Sequence, residues 1–276
     1  MAAFMKRQFF KNDIGYQFVD TRDFGPGLHQ SDIETRFASA CSTWSPHCGL
    51  NFTKVEANPD LVVKWAKLAK QEWAGETTIS GSPVTITFNT DRAWTASKLD
   101  PNYADFLSVA MHELGHAIGL AHSDADQAVM QDTHSTIDFG RLLFNELAID
   151  DAVGARVLYG LPCPQLNPNN SLHDQIIVLV NQTADPVQFW FYINGDGAMA
   201  ISLPGPGSIN PWQATYWKET QLIWNISRRY RVKVNNSRGE VIRDDIEPSQ
   251  IIYIGTAPGL KPSLHLAQGG PEGISG

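Results

Sequence analysis

The stretch His112-Glu113-Leu114-Gly115-His116-Ala117-Ile118-Gly119-Leu120-Ala121-His122 decides how the rest of this chain is read. Two histidines four residues apart on a helix project from one face, one turn above the other, so both imidazoles reach a single ion. His122 cannot join them from the same helix, because six residues past His116 an uninterrupted helix has turned about 240° round its axis. Gly119 resolves the conflict: glycine tolerates positive φ, so the chain can leave the helix there and swing His122 back. Three neutral nitrogen donors suit one zinc ion and leave a fourth tetrahedral position for water. Glu113 directly follows the first of them, which places its carboxylate beside that water and not on the metal. Residues of these types at this spacing arise by chance on the order of 10⁻⁵ times in a chain of this composition. An ordinary surface helix accounts for a bare HExxH, but not for Gly119 and His122 as well.

Working outward, Asp100-Pro101 is expected to open this helix, with aspartate as cap and proline in the first turn. Its apolar side carries Phe106, Leu107, Ala110, Met111 and Leu114 at spacings of three and four. Upstream, Tyr16–Asp20, Leu50–Val55, Leu61–Trp65, Glu76–Ser80 and Val84–Asn89 read as strands, the last two split by Gly81-Ser82-Pro83. Ser31 is a plausible cap for a helix running towards Cys41. Downstream, a last helix begins at Asp150, runs through Val153 and Val157 and stops at Gly160. Residues 161–170 then carry three prolines and no periodicity, and read as a linker.

Beyond the linker lie short β-rich runs: Gln175–Val180, Val187–Ile193, Ala198–Leu203, Leu222–Ile226, Tyr230–Val234, Glu240–Arg243 and Ile251–Ile254. Asn194-Gly195-Asp196-Gly197 reads as a tight turn joining two of them. This spacing predicts a small all-β sandwich over 171–276, with a loose tail from Gly259.

Composition bounds the function. The chain has 276 residues, 42% of them hydrophobic, enough for one large domain or two. A net charge of -8 argues against a nucleic-acid phosphate binder, which needs a basic face, so no nucleic-acid partner is expected. No apolar run approaches the roughly 20 residues of a membrane-spanning helix. Met1 to Phe10 lacks the apolar stretch of a secretory signal, and reads as an expressed fragment's start or as a chain whose leader has been removed. Three cysteines, Cys41, Cys48 and Cys163, cannot all pair internally; either two or three are free thiols, or Cys41 and Cys48 close a short loop with Cys163 free or pairing elsewhere. Acceptor triplets for N-glycosylation occur at Asn51, Asn169, Asn181, Asn225 and Asn235.

The extended histidine pattern resembles the metzincin signature. Ala128-Val129-Met130, eight residues past His122, resembles the methionine turn of that class at the short interval seen in matrixins. Ser123 is also matrixin-like, as are Leu147-Ala148-Ile149-Asp150-Asp151-Ala152-Val153-Gly154, Leu158-Tyr159-Gly160, and Phe88 with Asp91 through Trp94-Thr95. Residues 10–160 therefore resemble the catalytic domain of matrixins, the matrix-metalloproteinase-like zinc endopeptidases. The resemblance implies an α+β domain over 1–160, with a twisted mixed sheet and three helices, ahead of the 161–170 linker and the β domain. It implies a secreted metalloprotease that hydrolyses protein or peptide substrates with one catalytic Zn2+ on His112, His116 and His122. Glu113 would be the general base and Met130 a structural residue beneath the metal. Substrate would bind extended along an edge strand, for which Glu76–Ser80 is the best candidate, and Gln131 to Phe139 would wall the main pocket.

Departures from the family pattern shape the remaining expectations. No histidine lies between Phe52 and Ala110, and Thr87 stands where a ligand of the vertebrate-type structural zinc would fall, so that second zinc is not expected. Ca2+ is poorly supported, since Asn89, Thr90 and Arg92 replace the usual carboxylates and Asp91 alone remains. Pro46-His47-Cys48-Gly49 resembles the inhibitory cysteine switch of the family but falls inside the catalytic domain, where it reads as a loop. The competing function is a targeting protein whose C-terminal β domain recognises a glycan, matrix or cell-surface partner, with proteolysis secondary. Trp190, Phe191, Tyr192, Trp212, Tyr216, Trp217 and Trp224 would supply its stacking surfaces. A catalytically dead zinc scaffold is the third reading, and the intact Glu113 argues against it.

Overall fold

The computed structural model describes residues 8–20, 24, 27–96, 103–123, 125, 128–131 and 146–161. Beyond these it describes 175–181, 183, 185–194, 201–202, 207–209, 214–219, 229–237, 239–246, 251–255 and 263–266. Contacts divide the chain into two compact units, with the boundary between Leu158 and Tyr159.

In the first unit, β1 (Asp13–Val19), β2 (Asn51–Lys54), β3 (Leu61–Ala66), β4 (Gly75–Thr78) and β5 (Val84–Asn89) form one sheet in the order β2-β1-β3-β5-β4. All pairings are parallel except that of β4, which runs antiparallel to β5 and closes one edge. Alternation explains β3, where Leu61, Val63 and Trp65 turn inward and Lys64 turns out. Strand β5 is buried almost throughout, as expected between β3 and β4 with a helix across its face.

Helix α1 (Gln30–Cys48) buries Ile33, Phe37, Ala40, Cys41, Trp44 and Cys48, one stripe at helical spacing. It starts before the expected Ser31 cap. His29 is the N-cap, and the Asp32 carboxylate accepts its backbone N–H at 3.1 Å in a capping box. It also runs past Pro46, so Pro46-His47-Cys48 is its last turn, closed by Gly49 at φ 68°, and not a loop. Cys41 and Cys48 are therefore two turns apart on one rod, a rise of about 10 Å, beyond the ~7 Å Cα reach of a disulfide. Both are buried free thiols, and the loop-closing bridge does not form.

Two short strands, β6 (Trp94–Thr95) and β7 (Ala104–Asp105), pair in parallel and lead into α2 (Phe106–Ile118). The cap is Asp105 and not Asp100: its Oδ2 accepts the Ser108 N–H at 2.9 Å and the Ser108 hydroxyl at 2.8 Å. Nearly every side chain of α2 is buried, because it packs on α1, β4 and β5. The Trp44 indole N–H donates to Met111 O at 2.9 Å and locks α1 to α2. Beside them Trp65 stacks on Phe24 and Phe106, and Phe88 meets Trp94 edge-on. Helix α3 (Ile149–Tyr159) completes the unit, and Gly160 at φ 68° ends it.

The second unit is built from β8 (Gln175–Asn181), β9 (Val187–Asn194), β10 (Ile201–Ser202), β11 (Gly207–Ile209), β12 (Ala214–Glu219), β13 (Arg229–Asn236), β14 (Gly239–Ile246), β15 (Ile251–Gly255) and β16 (Ser263–Leu266). One sheet runs β10-β9-β13-β14, with β11 also on β9; the other runs β12-β8-β15-β16. Leu179, Val187, Ile209, Val232, Val234, Ile246, Ile252 and Ile254, drawn from both sheets, share one buried core. Strand β16 lies in the segment expected to be a loose tail and pairs with β15, Leu266 opposite Ile252. Buried Asn181 ties the β8 end: its Nδ2 donates to Asp185 O at 2.9 Å and Ile209 O at 3.1 Å, and its Oδ1 accepts the Thr183 N–H at 2.9 Å. The expected strand at Leu222–Ile226, the glycines of the Asn194–Gly197 turn and linker positions 162–170 lie outside the described residues.

Candidate metal centre

Helix α2 ends in a Schellman motif that builds half of the site. Gly119 takes φ 109°, its N–H donates to His116 O at 2.9 Å, and the Leu120 N–H reaches back to Gly115 O at 3.0 Å. The chain leaves the helix at that glycine and returns His122 to the face that carries His112 and His116. His116 Nε2 lies 3.1 Å from the Nε2 atoms of both His112 and His122. Each histidine offers one ring nitrogen, and these three lie within 4.8 Å of one another. His112 is buried, His116 half-buried and His122 exposed, so the cluster opens to solvent on the His122 side.

Backbone carbonyls aim the rings. Val129 O lies 2.7 Å from His112 Nδ1, and Leu120 O lies 2.8 Å from His116 Nδ1. A carbonyl only accepts, so each Nδ1 carries the proton and each Nε2 presents its lone pair. Burial, followed by the neighbouring His116, pulls the His112 pKa down to about 3 and keeps that ring neutral. Neutral lone pairs converging on one point repel unless a cation lies between them. An all-imidazole set is the donor chemistry zinc takes, and these residues fit it.

The turn at Val129 and Met130 supports the cluster from below. Gln131 N–H donates to Ala128 O at 3.1 Å, and Ser123 N–H donates to Met130 O at 2.6 Å. Asp151, from the first turn of α3, accepts the N–H groups of Val129 at 2.8 Å, Met130 at 3.0 Å and Ala148 at 2.9 Å. Burial pushes the Asp151 carboxyl up to about 6 in spite of these donors. Asp150 beside it accepts a short hydrogen bond from the Ser123 hydroxyl. The Met130 thioether fills space that only a glycine at 115 leaves, since a Cβ there would stand 2.2 Å from Met130 Sδ and 3.0 Å from Trp44 Cζ2.

Glu113 is buried on the face of α2 that meets β4. Thr77 Oγ1 lies 2.7 Å from Glu113 Oε2 and 3.0 Å from Glu113 O. Burial raises the Glu113 pKa to about 7, while the Thr77 hydrogen bond acts in the opposite sense.

Against this geometry the chain can be compared with known proteins. A family model described as Matrixin matches residues 8–160. The chain belongs to the matrixin family. The match to matrix metalloproteinase-25 of Mus musculus is 30% identical over 146 residues, 46% of this chain and 23% of that protein. Macrophage metalloelastase of Oryctolagus cuniculus is 30% identical over 167 residues, 54% of this chain and 34% of its own length. Stromelysin-3 of Homo sapiens is 30% identical over 170 residues, 56% of this chain and 32% of its own. The matched regions thus span about a quarter to a third of these curated relatives. Matrixins are zinc metalloendopeptidases, and the three-histidine site suits the zinc the family implies.

Of the residues expected at the site, His112, His116 and His122 cluster, and Glu113 and Met130 lie on the helix and turn that adjoin them. Gly75, Thr77, Gly115 and Asp151 were not singled out by the sequence, and each makes its contact between elements. Of the expected pocket wall only Gln131 is described; 132–139 lie outside the described residues. His47 of the switch-like motif sits at the end of α1 beside Arg156, which donates to its Nδ1 at 3.4 Å and to Pro46 O at 3.0 Å. Among the aromatics offered for glycan stacking, Trp190 is half-buried with Lys233 Nζ 5.0 Å over its ring. The side chains of Phe191, Tyr192, Trp212, Tyr216, Trp217 and Trp224 lie outside the described set.

Proposed function

We propose that this chain is a zinc-dependent endopeptidase in which His112, His116 and His122 hold the metal and Glu113 serves as general base. The observation that carries this reading is the convergence of three histidine ring nitrogens, those of His112 and His116 aimed by carbonyls at their Nδ1 atoms, with the buried Glu113 next to His112 in the chain. His112, His116 and His122 would hold a zinc ion, which would supply a water of lowered pKa and a Lewis acid for the scissile carbonyl. Glu113 takes the proton of the attacking water and returns it to the departing amine nitrogen. Burial pushes the Glu113 carboxyl up from the ordinary carboxylate range, which suits a group that accepts a proton and then donates it. Strand β4 is an edge of the sheet among the described residues, a position along which an extended peptide backbone can add. Met130 and the turn around it carry no chemistry; they hold His112 at the angle the site needs.

Residues 171–276 we read as a β-sandwich accessory domain after a linker at 161–170, supported by two sheets that share one core. Family resemblance supports a secreted setting, and among the described residues no helix is long and apolar enough to cross a membrane. A casein digest with and without a chelator tests the enzyme reading. Cleavage abolished by chelation and restored by zinc is expected, whereas cleavage indifferent to chelation rejects it.

A further inference from the structure

Two residues of β4 face Glu113, and neither belongs to the metal cluster. Residues 75 and 77 lie on one side of the strand, and Glu76 and Thr78 point outward and are exposed. A Cβ on Gly75 would stand 2.7 Å from Glu113 Cγ and Oε1 and 2.9 Å from Cδ, so the strand backbone lies directly against the carboxylate. Two positions along, the Thr77 hydroxyl reaches Oε2 of that carboxylate at 2.7 Å. The side chain of Glu113 is thus confined at Oε1 by a missing methyl and at Oε2 by a hydrogen bond. Both constraints come from the edge strand that is also available to a substrate backbone.

We propose that Thr77 is a positioning residue for Glu113, its hydroxyl fixing the rotamer in which the carboxylate meets the attacking water, with Gly75 as the clearance that permits it. This rests on the endopeptidase reading above. The hydroxyl lies within donating distance of Oε2, at 2.7 Å, and of Glu113 O, at 3.0 Å; with Oε2 engaged, Oε1 beside the Cβ-free Gly75 is the oxygen left to take the proton of water. Because the contact is made by a side chain, its loss leaves the N–H and C=O groups of β4 in place for substrate. The cost therefore falls on kcat and not on KM. Valine preserves the branch and volume of threonine and removes only the hydroxyl.

The test is peptide hydrolysis by the full-length, zinc-loaded protein as wild type, Thr77→Val, Thr77→Ser, Glu113→Gln and the Thr77→Val/Glu113→Gln pair. Zinc content and thermal midpoint are measured on each. Thr77→Val is expected to lower kcat on the order of tenfold to a hundredfold, with zinc retained and KM within about twofold. Thr77→Ser should recover most of that loss, and Thr77→Val should add nothing once Glu113 is already Gln. A Thr77→Val enzyme with wild-type kcat overturns the proposal, as does an equal loss from Thr77→Val in the presence and absence of Glu113. Should Thr77→Val fail to fold, Gly75→Ala decides: it displaces the carboxylate with Thr77 intact, so lost kcat with zinc and KM retained supports the proposal and wild-type kcat refutes it. Wild-type protein that leaves peptides uncut whatever its zinc content would instead bring down the endopeptidase reading itself.

Discussion

Glu113 and His122 stand nine residues apart in the chain and one site apart in function. Glu113→Ala is expected to keep about one zinc per chain while losing on the order of 10²–10⁴ of its hydrolytic rate. His122→Ala removes a donor and should lower both zinc content and rate; elemental analysis of the two purified variants separates the roles. Asp151 gives a pH signature of another kind. Its carboxyl is raised from 3.8 to about 6 in the folded state, so between those values the unfolded chain releases a proton that the folded chain keeps. The stability it contributes is present below about 3.8 and is lost as pH rises through about 6. Urea titrations at several pH values should show that decline in wild type and not in Asp151→Asn. The clustered histidines were legible in the sequence because metal coordination would dictate both residue type and spacing. Thr77 was not, because its partner is 36 residues away and is met only when β4 lies on α2. Asp151 was visible as part of a family-like run, but a clamp on three backbone N–H groups leaves no pattern in sequence.

At the scale of elements, the helix ends are where reading and structure part company. Asp100 and Asp105 are equally good caps as residue types, and the pairing of β6 with β7 selects the second. Pro46-His47-Cys48-Gly49 reads as a loop, yet α1 carries Pro46 in its last turn, where the stripe from Ile33 to Cys48 still packs. The exit from α2 was legible because Gly119, standing between His116 and His122, suits a positive φ. Alanine there is strained at φ 109°, and the same turn supplies Leu120 O to His116 and leads His122 back. Gly119→Ala should therefore destabilise the fold by about 1 kcal/mol or more and weaken zinc binding. Competition with a chelator of known affinity measures the second effect. Gly115→Ala tests the floor of the site: a Cβ 2.2 Å from Met130 Sδ forces repacking, expected at about 1–3 kcal/mol in urea melts.

At the scale of the molecule, every residue assigned to the chemistry lies before position 131, and α3 is complete at Tyr159. A chain truncated after Gly160 is expected to fold and to cleave short peptides at close to the full-length rate. Large or surface-bound substrates should lose more, since a recruiting domain raises effective concentration without touching the chemical step. Peptide and protein assays on the two lengths make the comparison, and an insoluble or inactive truncated chain would show that the units depend on each other. The alternation of several C-terminal strands was legible, but β12 was not read as a strand, β16 was hidden by its glycine- and proline-rich surroundings, and β11 by its shortness. One detail of that unit bears on how the protein can be made. Asn181 is a sugar-acceptor asparagine by its triplet, yet its amide nitrogen is committed to Asp185 and Ile209, and Thr183 is folded against it. In a glycosylating host the oligosaccharide and the closed β8 end compete for one nitrogen atom. Folded, secreted protein should therefore carry an unmodified Asn181 peptide by mass spectrometry, and any chain glycosylated there should be found among the misfolded material held back by the cell.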